Sequence, residues 1–227
     1  MSGATAVVRV LIGDDHRIVR AGIKQVLADA PDLLVVAEAS TGPEVLSEVQ
    51  RLRTGDAGGL DVVLLDIAMP GLDGLDVLKA IKREHPRLPV LMLSTYPERQ
   101  YAARCIKLGA SGYLNKSADP DDMVAAVRKA AVGGVYLSDV ATQALAESVS
   151  GVAAGGRSGA DALSHREHQV FRLLVTGLSV SQIGAQLGLA ANTVSTYRAR
   201  VLEKTGTRND VELALYAERM AQSGTGR

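Results

Sequence analysis

The chain contains no tryptophan, one phenylalanine and a single cysteine, Cys105, among its 227 residues. One cysteine excludes an intramolecular disulfide framework and an all-cysteine zinc site, and the scattered histidines indicate no His/Cys metal cluster. No apolar run approaches the roughly 18 residues of a membrane span, and the first residues lack the pattern of a secretion signal. We therefore expect a cytoplasmic protein with an aliphatic core and no membrane contact.

The chain also lacks net charge, because 25 basic residues balance 25 acidic ones. Strong attraction of the whole chain to nucleic acid is therefore not expected. The two ends differ, since residues 1–130 hold 16 basic and 17 acidic side chains, whereas residues 161–227 hold eight and six. The modest basic excess of the C-terminal part is concentrated at Arg198, Arg200, Lys204 and Arg208.

Residues 1–131 alternate short aliphatic runs with stretches whose apolar residues recur at the helical spacing. Five strands alternating with five helices predict an α/β fold, a doubly wound five-stranded parallel sheet covered on both faces. The predicted strands are Val7–Ile12, Leu33–Ala37, Val62–Leu65, Val90–Leu93 and Gly112–Leu114. The predicted helices are Ile18–Leu27, Val45–Leu52, Leu75–Ile81, Ala102–Leu108 and Met123–Ala130.

Residues 132–160 have the composition of a linker. A short helix is predicted over Asp139–Val149, and the Gly/Ala/Ser-rich stretch 150–159 has little to bury. Residues 161–227 carry only helical signals and predict a separate all-α domain. The predicted helices lie near 165–176, 180–187, 192–205 and 210–220. The connection between the second and the third of them is only about four residues long, as in a helix-turn-helix.

Capping patterns support this helical assignment. Ser164-x-x-Glu167 and Ser179-x-x-Gln182 are capping boxes, and Asn209-x-x-Glu212 has a similar layout. Gly177 and Gly188 stand where helices are expected to end. Ala190 cannot cap the third helix, so Asn192 is expected to cap a shorter start.

Polar side chains stand at the predicted carboxyl ends of the strands, where doubly wound sheets gather functional groups. These are Asp14, Asp15, Asp66, Ser94 and Lys116. Crowded carboxylates need a cation, and the oxygen ligands that they offer suit Mg²⁺. With its charge neutralised by the metal and by Lys116, Asp66 could attack a phosphoryl group as a carboxylate nucleophile.

Over residues 7–131 the sequence resembles the receiver domain of response regulators. The matching motifs are Gly13–His16, Leu64–Gly74, Val90–Ser94 and Gly109–Lys116. The resemblance implies a phosphoacceptor at Asp66. It also implies a Mg²⁺ site with direct ligands from Asp15 and Asp66, a water-mediated one from Asp14, and the backbone carbonyl of Ala68.

The same resemblance implies a switch beside the phosphoacceptor. The hydroxyl of Ser94 would turn toward the phosphoryl group, Lys116 would pair with it, and Tyr113 would move inward. Strand alternation points the neighbouring Thr95 away from the cleft, which favours Ser94 as the switch hydroxyl. A half-buried tyrosine on an edge strand is the alternative for Tyr113.

Over Leu163–Ala217 the sequence resembles the LuxR-type helix-turn-helix of the NarL/FixJ subfamily. The matching residues include Leu163–Glu167, Gly177–Ser179, Gln182-Ile183, Thr193-Val194 and Lys204. A recognition helix needs polar groups for base edges and cations for phosphates. The candidate DNA-binding residues are Asn192, Thr193, Ser195, Thr196, Arg198, Arg200 and Lys204. Ser195 and Tyr197 stand where this subfamily more commonly has Lys and His.

The last helix carries more apolar surface than a small three-helix core needs. Val211 and Leu215 are therefore candidates for self-association, and packing within their own domain is the alternative. Two copies would read symmetric DNA together.

The combined hypothesis is a two-component response regulator. A sensor histidine kinase phosphorylates Asp66, a homodimer forms, and it binds double-stranded promoter DNA and contacts RNA polymerase. One alternative is a phosphorylation-independent DNA-binding regulator with a vestigial receiver. Another is an aspartyl-phosphate phosphatase, which the absence of an Asp-x-Asp motif at Asp66 disfavours; the chain is therefore not expected to be an enzyme.

Overall fold

The computed structural model describes residues 7–54, 59–69, 72–96, 98–149, 159, 163 and 165–224. The chain divides into two compact units, Met1–Gly151 and Val152–Arg227. The predicted capping box at Ser164 and most of the predicted Gly/Ala/Ser-rich stretch fall outside the described residues.

The described residues of the first unit form one parallel sheet and six helices. Its strands are β1 (Val8–Gly13), β2 (Leu33–Ala39), β3 (Val62–Asp66), β4 (Val90–Ser94) and β5 (Gly112–Asn115). Its helices are α1 (Arg17–Ala28), α2 (Gly42–Thr54), α3 (Gly74–Glu84), α4 (Glu98–Lys107), α5 (Pro120–Ala131) and α6 (Asp139–Val149). The strand order β2-β1-β3-β4-β5 confirms the predicted doubly wound fold.

The sheet separates two hydrophobic cores. Successive residues of a strand point to opposite faces, so Val63 and Leu65 of β3 enter one core, whereas Val62 and Leu64 enter the other. All four side chains are fully buried. Burial of each such side chain contributes about 1.5–3 kcal/mol, which is why these strands are continuous aliphatic runs.

Because all strands are parallel, their carboxyl ends meet at one edge of the sheet. In register, Gly13 lies beside Leu65, Asp66 beside Leu93, and Ser94 beside Asn115. The loops that follow β1, β3, β4 and β5 therefore carry their side chains into one cleft.

The stretch 132–149, which the sequence assigns to a linker, packs within the first unit. Tyr136 forms a bridge with Gly112 at the free edge of β5. Helix α6 then lies against α4, where Arg99 pairs with Glu147 at 3.3 Å and Ser138 donates a hydrogen bond to Glu98. Composition did not indicate this docking, because the apolar contact uses small side chains such as Ala141, which is fully buried.

The second unit is helical. Its helices are α7 (His165–Val175), α8 (Val180–Leu187), α9 (Ala191–Thr205) and α10 (Asp210–Gly224). Ser179 and Gln182 form the predicted capping box, and Gly188 ends α8 with a left-handed φ of 65°. Asn209 accepts a hydrogen bond from the backbone N–H of Glu212 at the start of α10.

The prediction that Asn192 caps the third helix of this domain is wrong. Helix α9 begins at Ala191, with Ala190 as an N-cap that makes no side-chain hydrogen bond. Asn192 lies inside the first turn, where its carbonyl accepts a hydrogen bond from the Thr196 hydroxyl. The backbone carbonyl of Ala190 accepts from the N–H groups of Thr193 and Val194, so the helix starts without a polar side-chain cap.

One small core holds the second unit together. Val170, Ile183, Val194, Val201 and Leu213 are fully buried, one or more from each of the four helices that the structure describes here. Leu187 and Leu202 are only partly buried and pack at its margin.

Candidate functional site

Two buried carboxylates and one lysine form the centre of the cleft. Asp66 ends β3 and Asp14 follows β1, and both side chains are almost completely buried. Lys116, just after β5, reaches both: its Nζ lies 2.7 Å from Asp66 Oδ2 and 2.6 Å from Asp14 Oδ2. The topology brings these groups together from positions up to about a hundred residues apart, and the single cation bridges two anions.

Asp15 and His16 complete the cleft on its open side. Asp15 retains 31% of its side-chain exposure, and its Oδ1 lies 2.7 Å from Nδ1 of His16. Ligand atoms of Asp14, Asp15, His16 and Asp66 all lie within 4.8 Å of one another. The scattered histidines of the sequence indicated no metal cluster, and the fold nevertheless brings His16 to this one.

The carboxyl group of Asp66 has its pKa raised above the usual range. Burial is the main cause, and the neighbouring Asp14 carboxylate adds to it. Lys116 and the backbone N–H of Ala68, which donates to Asp66 Oδ1 at 3.2 Å, act in the opposite direction. Burial also opposes the charge of Lys116, but the two carboxylates outweigh it and raise the pKa of the ammonium group.

This donor set fits a hard divalent cation. The carboxylate oxygens of three aspartates converge, and like charges that converge in a buried site need positive charge in addition to Lys116. Such oxygen ligands favour ions like Mg²⁺. Gly74 keeps the site compact, because a Cβ atom there would clash with the carbonyl oxygen of Asp66. The cluster is therefore suited to divalent metal binding.

The predicted switch residues lie beside the cleft. Ser94 is buried and Thr95 exposed, as strand alternation predicts. The Ser94 hydroxyl oxygen accepts a hydrogen bond from the backbone N–H of Tyr96 at 3.1 Å. Tyr113 is fully buried, which contradicts the half-buried alternative, and its hydroxyl donates to the carbonyl of Tyr96 at 2.9 Å. Its burial raises the pKa of the phenol.

The second unit presents a polar surface along α9. Asn192, Thr193, Ser195, Thr196 and Arg200 are all exposed. A shallow pocket of about 280 Å³ on this surface is lined by Asn192, Thr193, Thr196, Tyr197 and Arg200.

Two of the predicted DNA-binding cations already have partners within the second unit. Nε of Arg198 lies 2.8 Å from Asp210 Oδ1, and Nζ of Lys204 lies 2.6 Å from Glu167 Oε2. The Glu167 carboxylate is buried, so Lys204 has a structural role in addition to any contact with a ligand. Sequence reasoning missed both pairs, because the partners lie on other helices.

Apolar side chains of α10 are exposed. Val211 retains 71% and Leu215 retains 53% of its surface, whereas Leu213 between them is fully buried. The two self-association candidates therefore lie outside the core of this unit.

A doubly wound parallel sheet with an acidic cleft, joined in one chain to a helix-turn-helix, defines a signal-receiving regulator of transcription. Comparison with known families agrees in both halves. Residues 10–128 match the response regulator receiver domain, and residues 161–217 match the bacterial regulatory proteins of the luxR family. The chain belongs to the two-component response regulators of the NarL/FixJ type. This is a family of transcription regulators rather than enzymes.

Several relatives span nearly the whole chain. It is 39% identical over 212 residues to the response regulator GacA of Pseudomonas viridiflava, covering 93% of this chain and 96% of that protein. It is 38% identical over 208 residues to the transcriptional regulatory protein UhpA of Escherichia coli K12, covering 91% and 96%.

A similar solved structure is RcsB from Salmonella enterica serovar Typhimurium bound to the promoter rprA in the presence of the phosphomimetic BeF3⁻. The TM-score is 0.61 at 27% identity, covering 92% of this chain and 98% of that one. Within the described residues, every helix is too short or too polar to cross a membrane.

Proposed function

We propose that Asp66 accepts a phosphoryl group from a sensor histidine kinase. The observation that carries this proposal is the bridging of Asp66 and Asp14 by Lys116, at 2.7 and 2.6 Å, in a cleft where the neighbouring Asp15 is partly exposed to solvent. A carboxylate held against a cation in this way is oriented for attack, and Lys116 can stabilise the transferring group. The proposed divisions are a receiver domain over residues 1–131, a connecting segment over 132–160 and a DNA-binding domain over 161–227. The part 132–149 of the connecting segment packs within the first unit.

Mg²⁺ is the metal we assign to the cleft. Asp15 and Asp66 would hold it directly, Asp14 through water, and the backbone carbonyl of Ala68 would add a neutral oxygen. When bound, it would neutralise charge on the equatorial oxygens of the transferring phosphoryl group. The protein's own contribution is to fix the carboxylates, because Asp14 and Asp66 are buried and cannot reorient freely.

Phosphorylation would act on Ser94, Tyr113 and Lys116. A phosphoryl group on Asp66 adds negative charge and strong hydrogen-bond acceptors beside Lys116 and Ser94. Turning toward it to donate would change the contact between the Ser94 hydroxyl oxygen and the N–H of Tyr96. Tyr113 holds the carbonyl of the same residue, so it would sense that change. Charged hydrogen bonds at about 1.5–3 kcal/mol each can approach the roughly 5.5 kcal/mol that inverts a 1:99 equilibrium.

The output would be binding of a phosphorylated homodimer to promoter DNA in the cytoplasm, with contact to RNA polymerase. Exposed polar groups of α9 would meet base edges, and its cations would meet phosphates. The proposed contacts are Asn192, Thr193, Ser195, Thr196, Arg198, Arg200 and Lys204. Val211 and Leu215 would form the dimer face, because their exposed apolar surface on α10 has no cover within the described part of the second unit.

The first test measures covalent phosphorylation of Asp66. The purified protein is incubated with acetyl phosphate and Mg²⁺, and intact mass is measured for the wild type, Asp66→Asn and the exposed control Asp76→Asn. We expect one phosphoryl adduct on the wild type and on the control, and none on Asp66→Asn. Absence of an adduct on the wild-type protein would refute the proposal.

The second test concerns the output. Gel filtration and DNA selection are compared with and without beryllofluoride, and we expect phosphomimetic-dependent dimerisation with enrichment of an inverted repeat. If Asp66→Asn retains full regulation in cells, the protein is instead a phosphorylation-independent regulator with a vestigial receiver.

A further inference from the structure

Asp14 is held by its backbone as well as by its side chain. Its N–H donates to the carbonyl of Ala39 in β2 at 3.0 Å. Its carbonyl oxygen accepts a hydrogen bond from Nη1 of Arg20, in the first turns of α1, at 2.6 Å. This second contact comes from a side chain that does not itself enter the acidic cluster.

Arg20 is in turn directed by β2. Its Nε lies 3.5 Å from Oε2 of Glu38, and the other oxygen of that carboxylate accepts a hydrogen bond from Lys24 at 2.6 Å. The side chain of Arg20 is only 17% exposed, compared with 48% for Lys24. A guanidinium has a rigid fork of donors, so it can contact a carbonyl and a carboxylate together.

We propose that Arg20 is a positioning residue for the metal site. By holding the carbonyl of Asp14, it fixes the backbone from which the Asp14 and Asp15 carboxylates project, and thereby sets the affinity of the cleft for a divalent cation. This inference rests on the proposed function, since it assigns a residue to the metal site described there. Residues that orient metal ligands from outside typically change metal affinity by about 10–100-fold when removed.

Charge and positioning predict opposite results for Arg20. A guanidinium repels a nearby dication, so removing its charge would by itself strengthen metal binding. If the hydrogen bond to Asp14 is what matters, the same change weakens binding, because the ligand loop loses its anchor. Lys24 offers a matched control, since it also lies on α1 and pairs with Glu38, whereas the Asp14 carbonyl accepts its side-chain hydrogen bond from Arg20.

The test measures Mg²⁺ affinity of the unphosphorylated full-length protein by calorimetry, with Mn²⁺ binding by electron paramagnetic resonance as a second readout. We expect Arg20→Gln to weaken binding by about tenfold or more, Arg20→Lys to give an intermediate value, and Lys24→Gln to stay near the wild type. Unchanged or tighter binding by Arg20→Gln would overturn the proposal, as would an equal loss in Lys24→Gln.

A kinetic readout separates positioning from general damage. The rate of phosphorylation by acetyl phosphate is measured against Mg²⁺ concentration. Arg20→Gln should raise the concentration needed for half-maximal rate and keep most of the saturating rate, whereas a fall in the saturating rate alone would count against positioning. Wild-type protein that neither binds Mg²⁺ nor becomes phosphorylated would refute the proposed function itself. Normal wild type with an unaffected Arg20→Gln refutes only this inference.

Discussion

The cleft of the first unit and the α9 surface of the second unit use charged groups in opposite ways. In the cleft, Asp14 and Asp66 are buried against Lys116, which is itself only 9% exposed. Along α9, Arg200 and the polar side chains around it are exposed to solvent. Chemistry on a phosphoryl group needs fixed charges from which water is largely excluded, whereas contact with a charged polymer needs charges that it can reach.

This difference has consequences for stability. A buried charge is costly to leave without its partner, whereas an exposed one is solvated and contributes little. Substitutions in the cleft should therefore affect folding and function together. Substitutions on the exposed faces of α9 and α10 should affect binding alone. Lys204 tests this distinction between buried and exposed charges, because it lies on α9 but pairs with the buried Glu167.

Loss of Lys116 should have the largest effect on folding. Lys116→Met leaves Asp14 and Asp66 buried without their shared cation, and we expect the free energy of unfolding to fall by about 3–5 kcal/mol at neutral pH. The loss should shrink as the pH falls, because Asp66, whose pKa burial already raises, can then take up a proton.

Denaturant unfolding at several pH values checks this prediction, with Lys79→Met as the control. Lys79 pairs with Asp76 on the surface of α3, and both side chains are about half exposed. Its removal should cost less than about 1 kcal/mol. Equal losses for the two lysines would show that burial does not distinguish them.

Lys204→Met should come next. It removes a charged partner of the buried Glu167, and we expect the second unit to lose about 1.5–3 kcal/mol. Arg200→Met on the same helix should leave stability unchanged and lower the salt dependence of DNA binding by about one phosphate contact. Thermal unfolding and binding titrations at several salt concentrations measure both. A destabilised Arg200→Met variant would contradict the division between buried and exposed charge.

Asp66→Asn should stabilise the protein while abolishing phosphorylation. The folded state raises the pKa of Asp66 above its ordinary value of 3.8, so the ionised form is disfavoured by folding. Replacing it should raise the free energy of unfolding modestly at pH 7, a gain that disappears as the pH falls toward that ordinary value. Chemical denaturation at pH 7 and near pH 4 measures this, and a gain that grows in acid would refute it.

Leu215→Ser should have the smallest effect on stability. The side chain is 53% exposed, so we expect a change below about 0.5 kcal/mol. The same substitution should weaken dimerisation of the beryllofluoride-treated protein, measured by sedimentation. Leu213→Ser provides the contrast, because Leu213 is fully buried and its replacement should destabilise the second unit. Unimpaired dimerisation of Leu215→Ser would remove α10 as the dimer face.

Much of the architecture was predictable because it follows from local pattern and a general topological rule. Aliphatic runs such as Val62–Leu65 are buried on both sides of a parallel sheet, and their sequence shows it. The clustering of Asp14, Asp66 and Lys116 follows in turn, since carboxyl ends of parallel strands share one edge.

Other features were not predictable in the same way. The docking of α6 on α4 depends on Ala141 and on the pair between Arg99 and Glu147, none of which is distinctive in sequence. Helix α9 begins at Ala191 rather than Asn192, and its first backbone hydrogen bonds are made to the carbonyl of Ala190. Alanine has no capping side chain, so no capping pattern in the sequence indicates this start.

The sequence by itself determined the order of strands and helices, the division into a sheet domain and a helical domain, and the acidic cleft, because hydrophobic periodicity and chain topology are sufficient for these. Only the tertiary structure decided which charges have partners. Lys204 reaches Glu167, Arg198 reaches Asp210, and Arg20 reaches the carbonyl of Asp14. The reason is that a long charged side chain pairs with a group that helix packing places within about 3 Å of it. Spacing in the sequence does not indicate which groups from other elements lie that close.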